Sequence, residues 1–177
     1  MESFNPYLHH RKSIRLEEYD YSLEGLYFIT ICIHQYKSLL GDIQDDIITL
    51  NAAGKMIETE WLAIQNRFPT FQLHEYVVMP NHFHAIIQIV KPSTNSLQNS
   101  NTEKTKNLGD VIAAFKSITT VNYIHGVKNL GWSHFDSRFW QLNYWEHIIR
   151  KQESYQQIAE YINTNPAKWN KDKLNQK

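Results

Sequence analysis

Apolar and polar residues alternate along the chain in patterns that predict both strands and helices. Runs rich in β-branched and aromatic residues predict strands at residues 26–33, 47–50, 71–79 and 82–90, and a strand or extended segment at residues 135–145. Apolar residues spaced three and four apart predict helices at residues 52–67, 108–124 and 151–165. Asn51 is suited to cap the first of these helices, and Pro166 stops the last. This order predicts an α+β sandwich, in which helices pack on a mostly antiparallel sheet.

The strand predicted at residues 82–90 begins with two histidines separated by one phenylalanine, His82-Phe83-His84. Successive side chains of a strand point to opposite faces, so both imidazoles share one face of the sheet. The other face receives the apolar residues Phe83, Ala85, Ile87 and Ile89. The pair is therefore suited to bind a metal from a rigid, buried strand, although a purely structural pair of histidines produces the same pattern.

The last predicted helix offers further polar groups to such a site. Tyr161 and Asn165 are four residues apart and lie on one side of the helix, beside a stripe that packs on the sheet and contains Tyr155, Ile158, Ala159 and Ile162. If the helix packs against the histidine strand, two imidazoles, an amide oxygen and a phenol converge. Three of them can hold one divalent metal, and the phenol can act as a nucleophile. Tyr155 is the rival nucleophile on the same helix.

Composition is that of a globular protein in one domain. The chain has 177 residues, of which 42% are hydrophobic and 13% aromatic. We expect a single domain over residues 1–177, with a polar arm at 1–22 and a mobile polar loop at 92–107. The single cysteine, Cys32, excludes an intramolecular disulfide and a cysteine-based zinc site. With no secretory signal and no apolar run of the roughly 18 residues that a membrane span needs, we expect a cytoplasmic protein without a membrane partner.

Charge is balanced overall but unevenly distributed. Residues 1–90 hold 6 Lys/Arg and 11 Asp/Glu, whereas residues 91–177 hold 12 and 7. Such an asymmetry permits a basic face on a neutral protein. A basic cluster, Arg11, Lys12 and Arg15, precedes the first predicted strand and is either a phosphate-binding arm or a solvated one.

Three segments together resemble a known family. They are Met-Pro-Asn-His-Phe-His at 79–84, Phe-Trp-Gln-Leu-Asn-Tyr-Trp-Glu-His-Ile-Ile-Arg at 139–150, and Tyr-Ile-Asn-Thr-Asn-Pro at 161–166. The chain resembles the REP-associated tyrosine transposases, which belong to the single-tyrosine branch of the HUH endonucleases within the IS200-like transposase superfamily. Residues 11–15 and 19–32 also resemble the opening of that family, so the likeness runs from about residue 9 to residue 169.

The resemblance implies a metal-dependent enzyme that cuts and rejoins single-stranded DNA next to palindromic hairpin repeats. It implies a ferredoxin/RRM-like HUH endonuclease fold, with His82 and His84 as metal ligands and Tyr161 as the nucleophile that forms a 5′-phosphotyrosine. Asn165 matches the position where related transposases carry a third ligand, often Gln. The family's metal is Mg²⁺ or Mn²⁺, whereas two imidazoles alone favour Mn²⁺ or Zn²⁺. The basic residues of the arm would contact DNA phosphates.

Several alternatives remain at this stage. The chain can be a hairpin-DNA-binding module of the same fold without catalysis, or a metal-dependent phosphoesterase that uses water in place of the tyrosine. Glu146 and His147 are either groups that orient a metal ligand or an ion pair at the end of a strand. Trp132, Trp140 and Trp145 can stack on unpaired bases, although we expect at least two of them in the core. Both a monomer and a homodimer are compatible with the sequence.

Overall fold

The computed structural model describes residues 22–90 and 106–175. The basic cluster at Arg11, Lys12 and Arg15 lies outside these residues, as does almost all of the polar arm. Residues 92–105 of the predicted loop lie outside them as well. Expectations about the arm and the loop therefore remain predictions.

A four-stranded antiparallel sheet is the centre of the fold. Its strands, in their spatial order β4-β5-β1-β6, are β4 (Phe71–Val78), β5 (His82–Ile89), β1 (Gly25–Cys32) and β6 (Trp145–Ile149). A separate hairpin is formed by β2 (Gly41–Gln44) and β3 (Ile47–Leu50). The predicted α+β class with an antiparallel sheet is confirmed. The sequence prediction missed β2, which is short and mostly polar.

Four α-helices accompany the strands in the described part of the chain: α1 (Ala52–Leu62), α2 (Ile64–Arg67), α3 (Leu108–Asn129) and α4 (Gln152–Thr164). Asn51 caps α1 as predicted, since its side chain accepts a hydrogen bond from the Gly54 amide at 3.0 Å. A 3₁₀ helix, Pro166–Lys171, follows α4. Neither α3 nor any other helix in residues 22–90 and 106–175 combines the length and apolar content that crossing a membrane requires.

Of the strand or extended segment predicted at residues 135–145, only the last residue belongs to a strand. β6 begins at Trp145, and residues 135–144 are irregular except for one bridge between Trp140 and Ile33. The aromatic residues of this segment pack on α3 instead of pairing as a strand, and the Trp140 indole donates to the Thr119 hydroxyl at 2.9 Å. An aromatic-rich run thus indicated burial correctly, whereas a strand over residues 135–144 is wrong.

The two faces of the sheet are covered very unequally. One face packs against α1 and α3 over the main core, where Trp61, Phe83 and Phe115 meet with ring centroids 4.8 to 5.7 Å apart. The other face is covered by α4 through a small cluster whose fully buried members are Ile86, Ile149 and Ile162. His82 and His84 of β5 lie on this second face.

Gly54 is required because α1 passes very close to the backbone at Leu40. A Cβ at Gly54 would lie 2.1 Å from the Leu40 carbonyl oxygen, which cannot move aside as a flexible side chain can. We expect Gly54→Ala to lower the free energy of unfolding by about 1–3 kcal/mol. This is the net change, in which the cost of the clash exceeds the roughly 1 kcal/mol gain in helix propensity. Urea unfolding would measure the change, with the exposed neighbour Lys55→Ala as control. An unchanged or raised midpoint for Gly54→Ala would contradict the close approach.

Candidate active site

His82 and His84 lie side by side at the start of β5, as predicted. Both are buried, and their ring centroids are 4.5 Å apart. Phe83 between them points into the main core on the opposite face. Because β5 is paired with β4 on one side and β1 on the other, the backbone that carries the two imidazoles is held along both edges.

Asn81 fixes the tautomer of the neutral His82 ring. The Asn81 amide nitrogen donates to the carbonyl oxygens of Tyr36 and Leu174, at 3.0 and 2.8 Å, so its amide oxygen must face the imidazole. That oxygen lies 2.7 Å from Nδ1 of His82 and can only accept, which places the ring proton on Nδ1. Nε2 of His82 therefore carries a lone pair and no proton. This buried atom has no hydrogen-bond partner within the described residues.

His84 is held between a strand neighbour and α4. Thr30 lies directly opposite His84 in the β1–β5 ladder, and its hydroxyl is 2.8 Å from Nδ1. On the other side of the ring, Nε2 lies 3.2 Å from the hydroxyl of Tyr161. A protonated phenol donates to Nε2, which leaves the Nδ1 proton to be donated to Thr30. Both histidines thus keep Nε2 without a ring proton, on the face of the sheet that α4 covers.

Tyr161 lies in the last turn of α4, and Asn165, one turn later, caps the C-terminal end of the helix. Tyr161 is 38% exposed, whereas Asn165 is buried. The amide oxygen of Asn165 has no hydrogen-bond partner within the described residues. The structure therefore brings together all four groups that the sequence singled out: two imidazoles, a phenol and an amide.

Burial sets the protonation of the cluster. It lowers the pKa of His82 to about 3, although the Asn165 amide partly opposes this shift. Burial, followed by the neighbouring His82, lowers the pKa of His84 well below its usual range, and the Asp172 carboxylate opposes the shift. Burial and Asp172 raise the pKa of Tyr161. At neutral pH both imidazoles are neutral, the form that binds metals, and the phenol keeps its proton.

These groups fit a divalent cation. Leaving a buried lone pair unpaired costs free energy, and Nε2 of His82 and the amide oxygen of Asn165 are both in that position. The Nε2 lone pair of His84 is in place to join them once it no longer accepts the Tyr161 proton. In the described residues no group of three His, Cys, Asp or Glu side chains offers a metal site, so a three-ligand set here depends on Asn165.

Comparison with known proteins places the chain in a family. No family model matches the sequence. An uncharacterised protein of Haemophilus influenzae is 37% identical over an alignment of 185 positions, gaps included, that covers 97% of this chain and 96% of that protein. The two proteins belong to one family. This relationship spans both chains almost from end to end.

Two solved structures resemble the fold of this chain. The structure of a REP-associated tyrosine transposase bound to a REP hairpin matches with a TM-score of 0.51 and 20% identity, over 87% of this chain and 74% of that one. A Deinococcus radiodurans protein assigned as a transposase matches with a TM-score of 0.50 and 13% identity, over 84% of this chain and 95% of that one. This chain therefore shares its fold with both proteins. The resemblance seen in the sequence is confirmed at the level of the fold.

A basic cleft of about 640 Å³ opens beside Tyr161. The sheet side of the cleft includes Phe28, Thr30, His84 and Trp145, and the chain after α4 supplies Lys168, Lys171, Asp172 and Lys173. Sequence reasoning placed the basic contacts only in the N-terminal arm and missed these lysines. The signal was available as three lysines within six residues, shortly after the helix that bears the tyrosine.

Glu146 and His147 lie on opposite faces of the sheet, and only His147 shares the face of His82 and His84. Glu146 pairs with Ile29 across the β1–β6 ladder, so its side chain points to the face occupied by the main core. His147 pairs with Phe28 on the site face and is exposed. The structure therefore separates Glu146 from His82 and His84 by the thickness of the sheet.

Tyr155 serves to anchor α4 on β4. A β-bulge between Leu73 and Tyr76 turns the consecutive residues His74 and Glu75 to the same side of β4. The Tyr155 hydroxyl donates to Glu75 at 2.7 Å and lies 3.2 Å from Nδ1 of His74. Burial, the hydrogen bond and the charge of Glu75 raise the pKa of Tyr155 to about 12. This phenol is committed to the helix anchor and not to the histidine pair.

Proposed function

We propose that the protein is a metal-dependent endonuclease and strand transferase for single-stranded DNA, which acts next to palindromic hairpins through a 5′-phosphotyrosine on Tyr161. The observation that carries the proposal is the Tyr161 hydroxyl 3.2 Å from Nε2 of His84, beside the buried His82 and Asn165. It is supported by the fold shared with a transposase whose structure contains a REP hairpin. All four groups lie in one chain, so a single copy holds the complete set.

The metal, Mg²⁺ or Mn²⁺, would be held by Nε2 of His82, Nε2 of His84 and the amide oxygen of Asn165. Once bound, it would supply a positive charge that polarises the scissile phosphate and favours the ionised phenol. Two neutral imidazoles suit Mn²⁺ better than Mg²⁺. Asn81 and Thr30 support this set by keeping the ring protons on Nδ1, away from the ligand atoms.

Tyr161 would carry out the covalent step. Its oxygen attacks phosphorus in line with the leaving O3′, so the tyrosyl O–P bond forms while the P–O3′ bond breaks. The proton of the phenol ends on the released 3′-OH, and the downstream strand stays attached to the protein through its 5′-phosphate. The phosphotyrosine conserves the energy of the phosphodiester, so a second 3′-OH can reverse the step and join new ends.

The proposal is tested with hairpin DNA taken from repeats that flank the gene, carrying single-stranded extensions. A label at the 3′ end follows the fragment that a 5′-phosphotyrosine would retain, and a label at the 5′ end follows the released fragment. We expect a metal-dependent protein–DNA band with the first label and a shortened free strand with the second. Cleavage without that band would point to a water-using phosphoesterase. Tight binding without cleavage in either metal would leave the binding module.

Metal binding should also be visible in the stability of the protein without DNA. We expect Mn²⁺ at about 100 times its Kd to add about 2.7 kcal/mol, which raises Tm by roughly 5–10 °C for a chain of this size. His82→Ala should remove the shift because it deletes a ligand atom. The exposed His147→Ala on the same face should keep it. A shift of equal size in His82→Ala would place the metal elsewhere.

A further inference from the structure

We propose that Trp145 is a stacking platform for an unpaired base of single-stranded DNA, and that Lys168, Lys171 and Lys173 hold the phosphates of the same strand. This inference rests on the proposed function, because it names where the strand next to the scissile phosphate lies. It concerns the cleft beside Tyr161, and no residue of the proposed metal set is needed for it.

The position of Trp145 follows from the register of three strands. Trp145 pairs with Thr30 of β1, and Thr30 pairs with His84 of β5, so all three side chains share one face and one row. Two strand spacings separate Trp145 from His84, roughly 10 Å. A base on Trp145 therefore lies within a short reach of a phosphate at Tyr161.

The other aromatic groups near this row already have partners. Phe28 stacks on His84 with centroids 5.3 Å apart and meets Tyr161 edge-on at 6.1 Å. Trp145 is 58% exposed, whereas Trp61 and Trp140 are buried in the main core. An indole held on a strand but left in solvent gives up much of the stabilisation that burial would provide. Within the described residues the exposed ring of Trp145 is thus available to a ligand with a flat apolar face.

Charge at the cleft selects the kind of ligand. Three lysines and one aspartate, Asp172, come from the chain after α4 and face the strand side of the cleft. Aromatic faces combined with a positively charged groove are the arrangement that binds single-stranded nucleic acid, since bases stack and phosphates pair with lysines. The volume of about 640 Å³ lies within the range of small-ligand sites and accommodates a nucleotide-sized group.

The first test measures binding in EDTA, so that metal and cleavage play no part. The probe is a short oligo(dT) with a 3′ fluorophore, followed by anisotropy. We expect Trp145→Ala to weaken binding about 5- to 150-fold, which corresponds to the 1–3 kcal/mol of one stacked base. Trp145→Phe should retain most of the affinity. Leu62→Ala, which removes a similarly exposed apolar side chain from α1 on the opposite face, should change nothing.

Intrinsic fluorescence tests the stacking itself. Oligo(dT) should quench part of the tryptophan emission of the wild-type protein, because an indole stacked on a base loses emission. In Trp145→Phe that part of the quenching should disappear although binding persists, whereas wild-type quenching in this variant would overturn the assignment. Equal affinity of Trp145→Ala and the wild type would overturn it too.

The lysines are tested through the salt dependence of binding. Each lost phosphate contact should reduce the slope of log K against log salt by about 0.7. We expect this for Lys171→Ala and Lys173→Ala but not for Lys55→Ala on α1, and unchanged slopes in the first two would contradict the phosphate assignment. If binding depends on Trp145 but no covalent adduct forms in the presence of Mn²⁺ or Mg²⁺, the proposed enzymatic function is wrong and the stacking role of Trp145 stands. If the covalent adduct forms but DNA binding does not change in Trp145→Ala, the stacking role of Trp145 is wrong and the proposed enzymatic function stands.

Discussion

Replacing Tyr161 with phenylalanine is expected to abolish the covalent protein–DNA adduct while hairpin binding persists. The substitution removes one oxygen, the atom that lies 3.2 Å from Nε2 of His84, and leaves the ring that packs edge-on against Phe28. Loss of a nucleophile costs catalysis of the order of 10⁶-fold where it has been measured in a covalent enzyme. Denaturing gels with 3′-labelled hairpin DNA in Mn²⁺ would show the loss, and anisotropy would report the remaining binding.

The matched control is Tyr155→Phe, on the same helix and six residues earlier. It removes the hydroxyl that donates to Glu75 and lies near His74, so we expect a modest loss of stability without loss of the covalent bond. Adduct formation that survives in Tyr161→Phe and disappears in Tyr155→Phe would reverse the two assignments. Release of the adduct by a phosphodiesterase that cleaves phosphotyrosyl bonds would confirm the linkage in the wild type.

The largest expected effect on stability belongs to Phe83, the residue between the two histidines. Its ring is buried in the main core against Trp61 and Phe115, with centroids 4.8 and 5.7 Å away. Phe83→Ala should lower the free energy of unfolding by about 3–5 kcal/mol, because it removes a buried ring and leaves a cavity. That is a large share of the 5–15 kcal/mol that holds a typical domain together.

Urea unfolding followed by far-UV circular dichroism would measure this loss. Phe83→Leu keeps most of the apolar volume and should cost clearly less than Phe83→Ala. If both variants unfold at the wild-type midpoint, the middle residue of the motif does not anchor β5 in the core, and the rigid placement of the histidines needs another cause.

The sequence sufficed for the parts of the site that depend on local periodicity. A period of two placed His82 and His84 on one face and Phe83 on the other, and a spacing of four placed Tyr161 and Asn165 on one side of a helix. Apolar content also predicted that two of three tryptophans belong to the core, and only Trp145 is mainly exposed. Each of these follows from the geometry of a single element.

Features that depend on how two elements pair or pack could not be predicted from the sequence. The start of β6 is set by its pairing with β1, which also turns Glu146 away from the histidines. The bulge that turns His74 and Glu75 to one side is defined only by comparing β4 with β5. The lysines reach the cleft because the chain folds back after α4, and nothing in their spacing specifies that path.

The unequal cover of the two sheet faces has an evolutionary consequence. Nearly all buried apolar residues belong to the face beneath α1 and α3, and the opposite face combines a few buried residues with the histidines, Tyr161 and Asn165. Substitutions of exposed residues on that second face therefore change the reactive groups of the site with little loss of folding stability. Among related genes, copies that have lost the nucleophile should remain well-folded proteins, preserved or discarded for reasons other than solubility.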